Sequence, residues 1–352
     1  MTLAEIAKYR LINQQLADMK IKSAIEMVEW FGAVQGQEYA QTKWALGLRL
    51  PHLIDSDIEN DLTEGKILRT HLLRPTWHFV SAKDICWLLT LTAPQVNAAN
   101  AYMYRQVELD DKIFNRCNDL LIKILQGGKQ LSRDDINQEF KKVKIIASGH
   151  RLSYIMMNAE LNGIICSGAR QGNKFTYALL DERIKHKKLL EKEEALAELT
   201  TRYFKSRGPA TIKDFATWSG LTMTHCKKGI EMMKPFLEKA AVEGQEYFFT
   251  SNISLVDKQF ETIHLLPIYD EFVMGYKDRR AMMLSKSDAT FHFDNMILCE
   301  GQAIGTWKRT IRNKSLRVEY SFFMLPNKNQ INTFTQSVHR LGEFTGMHIS
   351  FN

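Results

Sequence analysis

Gln35 and Gln37 stand two residues apart around Gly36, at the end of an apolar stretch with helical spacing, and Gln41 follows closely. A carboxamide neither gives nor takes a proton near neutral pH, but it can hold a water or a phosphate oxygen through hydrogen bonds. Spacing alone also reads Gln-Gly-Gln as an ordinary turn. Asp270-Glu271 follows the apolar string HLLPIY. A carboxyl against apolar walls can have a raised pKa, which makes Asp270 a candidate accessory acid; a salt bridge to Arg279 or Arg280 is the alternative. Arg170, Lys174, Lys227 and Lys228 fall on turns and helices where basic side chains meet phosphates, although exposed helices carry lysines in any case. Lys308 and Arg309 lie in GTWKRTIRNKSLR, a basic strand pair that reads equally as a phosphate track or as a solvated edge.

Other chemistries lack their residues. No Walker loop, G-x-G-x-x-G, G-x-S-x-G or H-E-x-x-H occurs. The ten histidines show no metal-ligand spacing. The five cysteines (Cys86, Cys117, Cys166, Cys226, Cys299) are odd in number and never form Cys-x-x-Cys. That argues against a disulfide framework and a structural zinc, so neither a metal nor a cofactor is expected.

The elements that would position these residues recur. Helix, helix, then strand–turn–strand is expected three times. In the first copy Ser23 caps a helix that runs into the Gln-Gly-Gln turn, YAQTKWALGLRL forms a helix before Pro51, DSDIENDLTEGK forms another, and KILRTHLLRPTWHFV forms a hairpin broken near Arg74-Pro75. The second opens at Ser132-x-x-Asp135, stops its second helix at Asn162-Gly163 and closes with a basic Gly-rich hairpin. The third has Thr211-x-x-Asp214, a turn at Ser219-Gly220, a helix from Thr224 and a hairpin at Glu243-Gly244. This is the order of a winged helix–turn–helix. After about residue 253 strands dominate, with turns at Glu300-Gly301 and Asn313-Lys314 and a last helix over NTFTQSVHRLGEFTG.

The expected fold is therefore mainly α with β (α+β): three tandem winged helix–turn–helix modules plus a C-terminal antiparallel β-barrel-like domain. The boundaries are 1–81 for the first module, 82–128 for a helical connector, 129–182 for the second module, 183–250 for a linker helix and the third, and 251–352 for the last domain. Hydrophobic residues at 45% and charged residues at 25% of 352 are ordinary for a globular chain. Mean hydropathy is −0.28. No apolar run is long enough to cross a bilayer and the first residues lack a signal peptide's apolar core, so a cytoplasmic location and no membrane partner are expected. A net charge of +7 favours polyanions only modestly. Nothing in the sequence demands more than a monomer.

Five strings, VQGQ (34–37), RTHLLRPTWHFV (69–80), GPATIKDFATWSGL (208–221), LLPIYDEFVMGYKDR (265–279) and GQAIGTWKR (301–309), resemble the tandem winged-helix DNA glycosylase family (AlkZ/YcaQ-like). That family excises alkylated purines and unhooks interstrand crosslinks. The resemblance implies three winged helices around double-stranded DNA, a C-terminal β-barrel, and a catalytic Gln-x-Gln motif that here is Gln35 and Gln37. It also aligns Arg74, Thr76 and His78 with the family's Arg-Gly-Thr-Leu-His, as DNA contacts. Pro75, Trp77 and Gly36 depart from the pattern, Gly36 standing where a larger apolar residue is usual.

The chemistry implied is coherent. An N7-alkylated purine is already cationic and leaves without a general acid. Hydrolysis then requires a placed water and stabilisation of an oxocarbenium-like sugar. Carboxamide oxygens can accept from the water and face the cation. The leading function is hydrolysis of the N-glycosidic bond of N7-alkylated purines, with crosslink unhooking as its extension. The alternatives are a non-catalytic duplex-DNA-binding protein or transcription regulator, and a protein-interaction module with no DNA role.

Overall fold

Helix caps set where the repeated elements begin. In the computed structural model, which describes residues 1–250, 262–283 and 294–351, the hydroxyls of Ser23, Ser132 and Thr211 each accept the backbone N–H three residues on. Each therefore starts a helix at an orphaned donor. The segment boundary expected at residue 251 falls outside the described residues.

Three segments share one order, helix, short strand, helix, helix, hairpin, the short strand of the third being reduced to an isolated bridge at Ala210. In the first, the helix Ala24–Phe31 precedes the two-residue strand Val34–Gln35, the helices Tyr39–Arg49 and Asp55–Thr63, and the strands Ile67–Leu72 and Thr76–Ser81. In the second, Asp111–Leu125 precedes the strand Leu131–Ser132, the helices Arg133–Lys142 and Gly149–Leu161, and the strands Ile165–Ser167 and Thr176–Leu179. In the third, Lys192–Arg207 precedes the helices Ile212–Ser219 and Met223–Met233 and the strands Glu238–Val242 and Gln245–Phe249. Each time the short strand joins the hairpin's second strand. Gln35 faces His78, Ser132 faces Thr176, and Ala210 forms an isolated bridge with Phe248. The helix Asp111–Leu125, expected within a connector, thus stands where Ala24–Phe31 stands in the first unit. The third unit's last helix is capped by Thr222 rather than starting at Thr224.

The C-terminal strands depart from a purely antiparallel sheet. Ile263–Leu266, Asn295–Cys299, Gln302–Arg312 and Ser315–Phe322 pair antiparallel in that order, whereas His348–Phe351 joins Ser315–Phe322 in parallel. The intervening helix Lys328–Thr345 makes the crossover that a parallel pair needs. The hydrogen-bonded order has two edges among the described residues.

Packing ignores the segment boundaries. Trp44, Ile58, Ile67 and Phe79 of the first unit share a core with Leu265, Trp307, Val338 and Phe344. Leu68, Leu72 and Val80, the other face of the same hairpin, join a second core with Trp87, Tyr203, Phe215 and Trp218. Alternation along the strands sends successive side chains to opposite faces, so one hairpin is buried from both sides. None of the five cysteines is in a disulfide, and all but Cys86 are buried.

Candidate functional site

The Gln35–Gln37 loop lies flat on that doubly buried hairpin. Gly32, at φ 77°, ends the preceding helix and turns the chain back toward the sheet. Gln35 then pairs with His78, and the Gly36 N–H donates to the Trp77 carbonyl at 2.7 Å. A Cβ on Gly36 would sit 3.0 Å from the His78 carbonyl carbon and 3.1 Å from the Phe79 nitrogen and ring. Glycine therefore lets the loop approach the hairpin backbone this closely. Arg69 clasps the loop from the other side. Its Nε donates to the Gly36 carbonyl at 2.9 Å and its Nη2 to the Gln37 carbonyl at 3.4 Å. Its guanidinium lies 4.2 Å from the Trp77 ring centroid and 4.8 Å from that of Phe175, and burial lowers its pKa.

The two glutamines occupy different environments. Gln35 is 4% exposed. Its N–H donates to Glu271 Oε1 at 2.8 Å, its carbonyl accepts from the Thr42 hydroxyl at 2.9 Å, and its Oε1 accepts from Arg74 Nη2 at 2.8 Å and Thr76 Oγ1 at 3.5 Å. Gln37 is half-buried, and its side chain makes no hydrogen bond to the described residues. The expectation that both amide oxygens stand ready to accept from a water thus fits Gln37. The Gln35 oxygen is already held by a guanidinium.

Arg74, Thr76 and His78 bond within the protein, and the third unit packs beside the turn at Leu73 and Arg74 while Pro75 stays exposed. Gly220 is at φ 69°, and a Cβ there would lie 2.1 Å from the Leu73 carbonyl oxygen. Arg74 Nη1 donates to the Trp218 carbonyl and, at 3.4 Å, to that of Thr217, which are orphan acceptors at a helix end. Burial pushes its guanidinium down to about 10, opposed by the charge of Glu271. His78 is fully buried: Nδ1 pairs with the Thr76 carbonyl at 2.9 Å and Nε2 has no partner. Burial, then the charge of Arg74, holds its pKa well below the usual histidine value, so the ring is neutral. These three residues frame Gln35.

Asp270 is likewise an internal group. Both its oxygens accept from Arg49 at 2.8 Å, and Oδ1 also caps the Phe272 N–H. The guanidinium comes from the first unit, not from Arg279 or Arg280, and the bidentate pair leaves the carboxylate no free face for acid catalysis.

The remaining basic residues stay outward. Lys174 is exposed on the second unit's hairpin tip. Arg170, at the same tip, lies 5.2 Å from the Tyr39 ring centroid, 5.3 Å from that of Phe175 and 3.9 Å from Glu59, which brings it beside the helix that follows Gln37. Lys227 is exposed, and Lys228 pairs with Glu193. Lys308 is exposed; Arg309 is half-buried, its pKa lowered by burial and raised in part by Asp55 and Glu38. Arg170 thus approaches the helix that follows the Gln loop, while Lys227 and Lys228 sit on the third unit's last helix. Sequence reasoning missed Arg69, Arg207 and Trp218, and it read Asp270-Glu271 as an acid or base rather than as a holder of the loop. Arg69 and Glu271 lie inside strings it had marked, but their burial depends on units far away in sequence. Among the described residues no cluster of His, Cys, Asp and Glu could hold a metal ion, and no helix is long and apolar enough to cross a membrane.

The model of the family described as "AlkZ-like: DNA glycosylase AlkZ-like" matches residues 28–344. The chain belongs to the AlkZ-like DNA glycosylase family. The match spans the Gln loop, all three hairpins and most of the C-terminal helix; the first helix, Leu3–Asn13, lies outside it. A curated relative, the interstrand DNA cross-link repair glycosylase of Streptomyces sahachiroi, is 22% identical over 331 residues, covering 86% of this chain and 87% of its own. The solved structure of Streptomyces sahachiroi DNA glycosylase AlkZ superimposes with a TM-score of 0.82 at 19% identity, over 100% of both chains. At that identity the superposition speaks to the AlkZ-like fold.

Proposed function

We propose that this glycosylase hydrolyses the N-glycosidic bond of N7-alkylated purines in duplex DNA, using Gln35 and Gln37, and that it extends to unhooking interstrand crosslinks, the activity in its curated relative's name. The three repeated units act as winged helices along the duplex. The observation that carries the reading is the division between the amides: one pinned in place, its neighbour unengaged, on a loop held by the hairpin, Arg69 and Glu271. Gln37 accepts from the attacking water and aims it at C1′ of the sugar. Gln35, kept rigid by Arg74, fixes the loop against which the sugar rests and offers its side-chain NH₂ to the same water, whose proton passes to solvent once the C1′–O bond forms. A preorganised site of this kind costs no rearrangement at the moment of reaction. No group of the loop can protonate a leaving base, so the substrate must leave as a neutral base from a cationic adduct.

The test is single-turnover excision of N7-methylguanine, and unhooking of an N7–N7 guanine crosslink, by wild type, Gln35→Ala and Gln37→Ala. Removing a preorganised polar group of this type lowers rates by about 10²–10³-fold. Gln37→Ala should do so without loss of stability, since its side chain bonds nothing in the protein. Unchanged rates in both variants would remove the amides from the mechanism. Salt-sensitive duplex binding without any excision would favour the non-catalytic reading.

A further inference from the structure

Asp270 and Glu271 are adjacent carboxylates, both 1% exposed, yet they hold different things. Asp270 is consumed by Arg49. Glu271 Oε1 accepts the Gln35 N–H at 2.8 Å. Its Oε2 accepts from Arg207 Nη2 at 2.5 Å, Arg207 Nε at 3.0 Å and Trp218 Nε1 at 3.0 Å. Arg207 in turn donates to the carbonyls of Phe31 at 2.9 Å and Ala33 at 3.1 Å, the two residues flanking Gly32. One buried carboxylate from the C-terminal segment, one arginine and one indole from the third unit therefore hold the main chain on the approach to the Gln motif.

Resting on the glycosylase reading, we infer that Glu271 is a positioning residue for that motif. It sets where Gln35 begins, and through the rigid pairing of residues 34–36 with the hairpin it sets where Gln37 ends. The need for an outside holder falls on one donor. Arg69, Thr42 and Trp77 of the loop's own unit bond the Gly36 N–H and the carbonyls of Gln35, Gly36 and Gln37, and the acceptor of the Gln35 N–H is Glu271. A charged acceptor binds an amide N–H more strongly than a neutral one, and a buried N–H left without a partner is costly. The ion pair with Arg207 is what keeps Oε2 fixed and leaves Oε1 for the loop.

Glu271→Gln changes one atom of that arrangement. The amide oxygen turns to the charged Arg207, so its NH₂ meets the Gln35 N–H, donor against donor, and the loop is displaced. Asp270→Asn is the matched control. It makes the same change one residue away, weakens the Arg49 pair and keeps an oxygen to cap the Phe272 N–H at the start of the Glu271 helix.

Three measurements decide the point. Hydrogen exchange in the wild type should show the Gln35 amide protected at least 100-fold relative to those of Gln37 and Glu38, which donate to no described residue. Unprotected exchange at Gln35 would overturn the inference without any variant. At a temperature where both variants are folded, Glu271→Gln should lose that protection. It should also lower saturating excision of N7-methylguanine by about 10²-fold, with duplex affinity within twofold. Asp270→Asn should excise within threefold of wild type. Wild-type excision and Gln35 protection in Glu271→Gln would overturn the inference, as would an equal loss in folded Asp270→Asn. A wild type that excises nothing speaks against the glycosylase reading, while exchange at Gln35 still decides whether Glu271 holds the loop.

Discussion

The first and second units have the same topology and use it in opposite senses. In the second, the short strand ends at Ser132, whose hydroxyl caps the next helix while Asp135 returns a bond to the Ser132 N–H at 3.1 Å. The strand is satisfied by its own neighbours. In the first, the matching strand ends at Gln35, three residues are interposed before the helix, and the bonds come from Glu271, Arg74 and Arg69. The hairpin tips differ in the same way. Gln171 to Lys174 project, with nothing within 4 Å of a Cβ on Gly172, while Arg170 and Phe175 at their base pack against Tyr39 of the first unit. Leu73 and Arg74 are covered by the third unit. A unit that satisfies its local rules leaves its tip free to meet a ligand. The unit that breaks them needs its neighbours, and it is the one that carries the candidate site.

Two glycines at left-handed φ offer the widest test of that contrast. Gly220→Ala adds a Cβ 2.1 Å from the Leu73 carbonyl as well as backbone strain at φ 69°, so the third unit must retreat from the first hairpin. A loss of about 3–5 kcal/mol is expected, in the range of buried clashes. Gly172→Ala, at φ 60° in open space, should lose only about 1 kcal/mol. Urea denaturation of the two variants settles it. Equal losses would mean that the first tip is no more tightly covered than the second.

Charge gives the next test. Arg74→Ala leaves the Gln35 oxygen only the 3.5 Å bond from the Thr76 hydroxyl and orphans two helix-end carbonyls, which should cost about 2–3 kcal/mol and reduce excision through a loosened Gln35. Lys174→Ala, at the open tip, should leave stability within about 0.5 kcal/mol and lower the salt slope of duplex binding by about 1. A Lys174 variant with unaltered salt dependence would take the second tip off the duplex.

Local chemistry was readable because its signals act over a few residues. Ser132 with Asp135 and Thr211 with Asp214 are capping boxes in sequence and in structure. Glu243-Gly244, Glu300-Gly301 and Asn313-Lys314, all at positive φ, are the turns their residue types announce. What escaped is decided at a distance. The family resemblance reads Arg74 and His78 as DNA contacts, whereas the carbonyls that hold Arg74 lie at residues 217 and 218 and the strand that faces His78 lies at residues 34–35. Val34–Gln35 is too short to show a period-two pattern and exists only because Thr76–Ser81 pairs with it. Asp270 finds Arg49 across 221 positions, which no spacing rule could select over the nearer Arg279 and Arg280.

The last test uses one register position in both units. His78 faces Gln35, and Thr176 faces Ser132. Thr176 is buried and does not titrate; its hydroxyl donates to the Ala169 carbonyl at 2.6 Å. His78 is buried with a pKa held well below 6.5 by burial, then by Arg74. The unfolded chain therefore takes up a proton near pH 6.5 that the folded chain refuses, and stability is lost as pH falls below that value. At pH 5.5 the loss is about 1.4 kcal/mol for each such histidine. His264, pushed down to about 4 by burial, contributes equally and stays in place in a His78 variant. Replacing His78 by threonine should therefore remove about half of the histidine-linked loss between pH 7 and 5.5, read as the wild-type minus variant difference in urea midpoint, in which the carboxylates cancel. Parallel curves would place a protonated, solvated ring at residue 78, and the first hairpin would then be as open as the second.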